Sequence, residues 1–304
     1  MTEPAKDDPN GIALAAFSYV FWGFMPLYWR LLLAVPPFEV TVHRIFWSAL
    51  FCAIMIAVRQ RWSHLRAMFR QKRLMAILAL TGILISINWT IFIYSVANRS
   101  LVEASLGYYI TPLLSIGLGV LFLGEQISRV RLAAIVLAGL AVVIQSVALG
   151  HFSWIAISLA LSFGFYGFFR KLTHVDSLDA LAVETWILFP VTAALIAFWG
   201  THESHTFPHA GLRVDSLLVL AGPLTAVPLA MFAAGVRRIR LSTLGFLQYL
   251  NPTMTLLLAT LGLGEHFTRT DGVSFGFVWA ALVIVALEGR FTRFRQAATE
   301  AEPL

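Results

Sequence analysis

Apolar residues run along this chain in long blocks, separated by short segments that gather proline, glycine and charge. A bilayer's hydrocarbon core takes about 20 helical residues to cross, at about 1.5 Å of rise each. By that measure the pattern predicts ten helices, near 11–32, 40–58, 74–97, 104–123, 130–149, 152–170, 178–199, 216–236, 242–262 and 272–290. None of them shows the broad polar face of a helix lying on a water-soluble core.

Composition carries the same message. Of 304 residues 59% are hydrophobic and 12% charged, which leaves too little polar surface to cover a soluble globule. The formal charge of +6 comes from basic residues placed between apolar blocks rather than along one face, which argues against nucleic acid as a partner. Cys52, the single cysteine, lies inside an apolar block and excludes an intrachain disulfide. The first ten residues carry both signs of charge, and the block after them is long enough to span, so it reads as an uncleaved first helix.

Lysine and arginine collect on the cytoplasmic side of inserted helices. Sorted by alternate loops, seventeen of the 22 fall on one side: Lys6, the run from Arg59 to Arg73, Arg129 and Arg131, Arg170 and Lys171, Arg237 to Arg240, and Arg290 to Arg295. Arg99, Arg213 and Arg269 fall on the other, and Arg30 and Arg44 lie within predicted spans. This split predicts both termini in the cytoplasm.

Residues 109–129 match 249–269 at an offset of 140, pairing Tyr109 with Tyr249, Pro112 with Pro252, Gly124-Glu125 with Gly264-Glu265, and Arg129 with Arg269. At an offset of 141, Trp22-Gly23-Phe24 matches Phe163-Gly164-Phe165. Five helices is an odd number, so a second copy enters the membrane from the opposite side. The expected fold is all-α: two inverted five-helix repeats over 1–149 and 150–292, then a cytoplasmic tail at 293–304. Gly124 and Gly264 read as left-handed helix caps, with each following Glu near the start of the next helix.

Several segments together resemble the RarD-type proteins of the EamA branch of the drug/metabolite transporter superfamily. They are Trp22-Gly23 with Pro26-Leu27-Tyr28, His43-Arg44 with Trp47-Ser48, and Asn88-Trp89 with Phe92-Ile93. They continue with Ala104 to Tyr109, Pro112-Leu113, Ser162-Phe163-Gly164 with Tyr166-Gly167, Arg170-Lys171, and Ser242 to Tyr249. The resemblance implies a ten-helix secondary transporter of metabolites or drugs in the bacterial inner membrane. The first helix lacks the membrane-embedded Glu of the small multidrug-resistance relatives, so their coupling mechanism does not carry over.

Candidate substrate contacts are Tyr19, Trp22, Asn88, Trp89, Tyr108, Tyr166, Gln248 and Tyr249, because an amphipathic ring or amide suits a small, partly apolar molecule. Asn88 needs a hydrogen-bond partner, which a neighbouring helix would equally supply. Pro26, Pro112 and Pro252 are candidate hinges, packing being the alternative. A charge within the bilayer costs roughly 2.5 to 3.5 kcal/mol on insertion scales. His43, Arg44 and Glu103 therefore read as an outer gate or proton-sensitive cluster, a static ion pair being the alternative, and Glu184 as a coupling site or the partner of Arg170 and Lys171. Arg30 is placed to snorkel to the interface. His202, His205 and His209 have the residue type for a transition metal, but they fall in a loop interrupted by Pro208, and no metal or other cofactor is expected.

The pattern reads as an exporter of small molecules working by alternating access, with protons as a candidate coupling ion, as monomer or homodimer. Without a phosphate-binding loop, direct ATP drive is not expected. The alternative, a membrane-embedded lipid-modifying enzyme, would need a compact catalytic set at one face.

Overall fold

A computed structural model describes residues 8–123, 128–149, 153–173, 175–201, 207–208, 211–236, 238 and 247–300. Among them the secondary structure is helical. The helices are α1 (Pro9–Arg30), α2 (Pro37–Val58), α3 (Trp62–Phe69), α4 (Lys72–Ala97), α5 (Leu101–Leu123), α6 (Arg129–Leu149), α7 (Trp154–Lys171), α8 (Ser177–Gly200), α9 (Leu212–Val236), α10 (Leu250–Leu257) and α11 (Arg269–Glu300). Among the described residues five segments are long and apolar enough to cross a membrane: Pro9–Arg30, Pro37–Val58, Lys72–Ala97, Leu178–Gly200 and Leu212–Phe232.

Local chemistry sets the helix starts. Asp8, Ser153 and Asp176 each accept a hydrogen bond from a first-turn N–H, so α1, α7 and α8 begin with a satisfied donor. Two expectations change. The basic segment after α2 is not wholly a loop, because Leu65 and Met68 turn inward from α3. Trp62 and Phe69 stack on Trp186 of α8, at 5.5 and 6.4 Å between ring centroids. The helix expected over 242–262 is interrupted: Gln248 and Tyr249 form a turn before α10, whose first turn holds Pro252 and so needs no N–H there. A π-helical turn, Leu258–Gly262, follows, and Gly264 at φ 66° ends it in the left-handed conformation expected. Residues 124–125 and 241–246 lie outside the described residues.

Glu265 departs from its expected place. Its carboxylate accepts from the backbone N–H groups of Leu101 (3.1 Å) and Val102 (3.2 Å), so it caps α5 rather than the helix that follows it.

The packing pairs helices across the two halves. Ser18 Oγ of α1 donates to Pro228 O of α9 at 3.0 Å, and Asn88 Nδ2 of α4 donates to Leu159 O of α7 at 3.2 Å; both pairs are antiparallel. Alongside, α1 runs parallel to α10 and α7 parallel to α5. A Cβ on Gly23 would lie 2.4 Å from Met254 Cβ, and one on Gly164 would lie 2.5 Å from Leu114 Cδ2. Gly23 and Gly164 are 141 positions apart, Leu114 and Met254 are 140 apart, so one contact occurs twice. Gly82 and Gly222, also 140 apart, bring α4 onto the backbone of Glu184 and α9 onto the backbone of Trp47. The pairs α2 with α8, α5 with α10, and α6 with α11 are antiparallel, joined by Phe46 with Phe189, Tyr109 with Thr253, and Gln145 with Asp271.

A Cβ at Gly222 would stand 2.4 Å from the carbonyl carbon of Trp47, and backbone cannot swing aside. Gly222→Ala should therefore cost about 1 to 3 kcal/mol. Gly117→Ala, with open space around it, should be neutral or gain up to about 1 kcal/mol. Thermal unfolding of the two proteins in detergent, followed by tryptophan fluorescence, checks the opposite signs.

Candidate functional site

Arg44 is the eighth residue of α2, carried inward by a helix that Pro36 and Pro37 start sharply at one face. It is 7% exposed. Its Nε donates to Thr225 Oγ1 of α9 at 2.8 Å. Its guanidinium lies 4.0 Å from the Trp89 ring centroid and 5.0 Å from that of Trp29. Tyr28 and Tyr108 stand within electrostatic reach. No carboxylate among the described residues comes within 4.0 Å of it.

Glu103, expected beside Arg44, faces α7 instead and accepts a hydrogen bond from Ser153 Oγ. The first turn of α5 lies against the start of α7, and a short side chain cannot reach back to α2. His43 is buried as well. Its Nδ1 accepts from Trp47 Nε1 at 3.3 Å, and its ring lies 4.7 Å from that of Phe207. The three members of the expected gate therefore have three separate sets of neighbours. Arg30 lies near Glu265, at the same face.

Asn88 has the interhelical partners its burial demands. Its Nδ2 donates to Leu159 O and to Ser162 Oγ (3.0 Å), and its Oδ1 accepts from Tyr108 O–H (3.1 Å). Trp89, one residue on, carries Arg44 on its face, so α4 places the amide network and the arginine side by side.

Glu184 is the eighth residue of α8 and 1% exposed. Its Oε1 accepts from Thr81 Oγ1 at 2.7 Å and lies 3.7 Å from Arg170 Nε; its Oε2 has no hydrogen-bond partner among the described residues. Tyr166 lies close to both Arg170 and Glu184. The ion pair with Arg170 thus exists, and it leaves Oε2 buried, with the Tyr166 hydroxyl close to the carboxylate. Ile45, Gly82, Ile85, Ser86, Trp89 and Glu184 meet in a narrow seam between α2, α4 and α8 that is too tight for a water molecule.

Other candidates lie elsewhere. Tyr19 and Trp22 pack with Phe232 between α1 and α9. Tyr249 stacks 6.1 Å from Tyr109 near α11, and Gln248 is half-buried in the turn before α10. Pro26 and Pro112 lie inside continuous helices, whereas Pro252 follows an interruption. His202, His205 and His209 lie outside the described residues, which contain no other group of three metal-binding side chains.

Sequence reasoning missed a buried acid. Asp179, in the first turn of α8, pairs with Arg61 (2.6 Å) and His64 (2.9 Å) of the α2–α3 region. Arg61 read only as a topology charge. Extending the offset of 140 to α2 and α8 exposes the missing signal: it matches Glu39 with Asp179 and Arg44 with Glu184.

The family model described as "EamA-like transporter family" matches residues 9–147 and again 152–287. The chain belongs to the EamA-like transporter family. It is a multi-pass inner-membrane transporter of the RarD type. Protein RarD of Escherichia coli (strain K12) is 39% identical over 96% of this chain and 98% of its own length. An uncharacterized transporter of Vibrio cholerae is 39% identical over 95% and 96%. A Pseudomonas aeruginosa relative called chloramphenicol-sensitive protein RarD is 28% identical over 95% and 97%. One solved crystal structure is similar at a TM-score of 0.61 and 18% identity, covering 92% of this chain and 98% of that one, a likeness in fold.

Asn88→Leu removes three interhelical hydrogen bonds at once and leaves the Tyr108 hydroxyl without its acceptor. It should cost about 1 to 3 kcal/mol, and Tyr108→Phe, which removes one donor, about 1 kcal/mol. Chemical or thermal unfolding of the purified variants measures both.

Proposed function

We propose that this protein is a secondary transporter that exports small metabolites or drug-like molecules by alternating access. In this reading ten helices cross the bilayer as two inverted five-helix repeats, α3 lies outside that count, and both termini face the cytoplasm. The observation that carries the reading is the doubling of contacts: Gly23 on Met254 is repeated as Gly164 on Leu114, and antiparallel α1 with α9 is repeated as α4 with α7. Two halves that exchange equivalent contacts can trade places energetically, which is what opening alternately to each side requires. The two matches of the family model, one in each half, support it, as do the transporter names of the relatives.

The substrate pathway runs in this reading along α2, α4 and α8, past Arg44, Trp89, Asn88 and Tyr108 to Glu184. Glu184 carries the coupling proton, since a buried carboxylate with one oxygen unpartnered gains and loses a proton at little geometric cost. Arg170 and Tyr166 hold it in place. No hydrolytic chemistry is assigned to the chain.

Counterflow in proteoliposomes, run over amino acids, amphenicols and other small metabolites with and without a proton gradient, tests the function. At least one compound should exchange, and failure of all under every gradient would remove the reading. Glu184→Gln should retain counterflow while losing gradient-driven accumulation; unchanged accumulation would remove the coupling role. Orientation has its own test at two turns with positive φ, Gln60 and Arg99. With Cys52 replaced by serine, Arg99→Cys should react with an impermeant maleimide in spheroplasts, and Gln60→Cys only after permeabilisation.

A further inference from the structure

The repeat register makes Arg44 and Glu184 occupants of one position in the two halves, 140 residues apart and each the eighth residue of its helix. Their surroundings begin alike. Each meets a threonine hydroxyl from a helix of the opposite half: Thr225 for Arg44 and Thr81 for Glu184. Each sits near a glycine, Gly222 or Gly82, where that neighbouring helix comes onto the backbone. They differ in the third partner. Glu184 has its counter-charge in Arg170 of α7, at 3.7 Å. The matching position on α1, at the offset of 141 that pairs Gly23 with Gly164, is Trp29, whose uncharged ring lies 5.0 Å from the Arg44 guanidinium.

Arg44 thus cannot draw a counter-ion from the place that supplies one to Glu184, and no other carboxylate among the described residues reaches it. Only its Nε has a hydrogen-bond partner among those residues, although a guanidinium carries five N–H donors in a fork that fits a carboxylate. Trp29 and Trp89 hold its plane without using those donors. The eighth residue of a helix stands roughly 10 Å along its axis at about 1.5 Å per residue, deeper than a lipid headgroup.

We infer that Arg44 is the docking point for a carboxylate on the transported molecule, whose apolar body lies against the Trp29 and Trp89 rings. This rests on the transporter reading of the same pathway and adds the chemical class of the substrate. Trp29 and Trp89 are positioning residues that keep the fork open toward the ligand.

The test is a binding measurement, so that it stands apart from transport. Full-length protein in phosphatidylcholine nanodiscs, which supply no anionic lipid, is titrated with three probes that share one body: 3-phenylpropionate, 3-phenylpropan-1-ol and 3-phenylpropylamine. Hexanoate and hexan-1-ol form a second pair. A carboxylate should bind at least about tenfold more tightly than its alcohol and amine, since a bond to a charged group is worth more than that factor. Arg44→Gln should abolish the preference, Arg44→Lys should keep part of it, and Arg99→Gln should leave it intact. Absence of carboxylate-selective binding in the wild-type protein, which needs no variant to fold, overturns the inference. So does a preference undiminished in Arg44→Gln. Selective binding without counterflow would remove the transport reading and leave the anion site; counterflow without carboxylate preference would do the reverse.

Discussion

Close approach of backbones across the two halves is the constraint on which the rest of this structure depends. In lipid, helices gain little by hiding apolar side chains from equally apolar chains, so packing rests on small residues and buried polar contacts. Gly23, Gly82, Gly164 and Gly222 each let a helix of one half reach the main chain or Cβ of the other. As a result α1 lies between α9 and α10, and α7 between α4 and α5. Neither half closes a core by itself. The polar residues that matter, Asn88, Arg44 and Glu184, sit where these interleaved helices cross.

That interleaving gives buried charge its partners. An ionised side chain within a bilayer costs roughly 2.5 to 3.5 kcal/mol. Glu184 offsets part of that with Thr81 and Arg170. Arg44 has one neutral hydroxyl and two tryptophan faces, and a desolvated cation–π contact is worth about 2 kcal/mol. The same position in the two halves therefore holds charges of opposite sign, compensated to different degrees. The doubled position is thus alike in its place on the helix and unlike in charge.

Most helices could be read from apolar length, because lipid permits few alternatives. What escaped that reading has a physical reason in each case. In α3 only Leu65 and Met68 face inward among basic neighbours, so the segment looked like a charged loop. The turn at Gln248 and Tyr249 is hidden by apolar residues on both sides, and only Pro252 marks it. Glu103 was at the right depth for Arg44 but on a helix that faces α7. Depth along the membrane normal is legible from a sequence, whereas rotation about a helix axis is not. Asp179 and the match of Arg44 with Glu184 were legible in principle, through the repeat register carried beyond its most similar segment.

The sister helices α5 and α10 show what that register leaves open. Pro112 and Pro252 occupy the same position, yet α5 is continuous from Leu101 to Leu123, while α10 follows a turn and runs into a π-helical segment. The groups freed at the end of α10 do not go unpaired: Leu263 N donates to Leu258 O and Glu265 N to Ala259 O, each at 2.9 Å, while the Glu265 side chain caps α5. An interruption satisfied this way costs far less than broken backbone facing lipid. One proline position therefore accommodates both a continuous and an interrupted helix. On the alternating-access reading, the second geometry is already within reach of the first helix, and the difference between α5 and α10 marks which half has taken it.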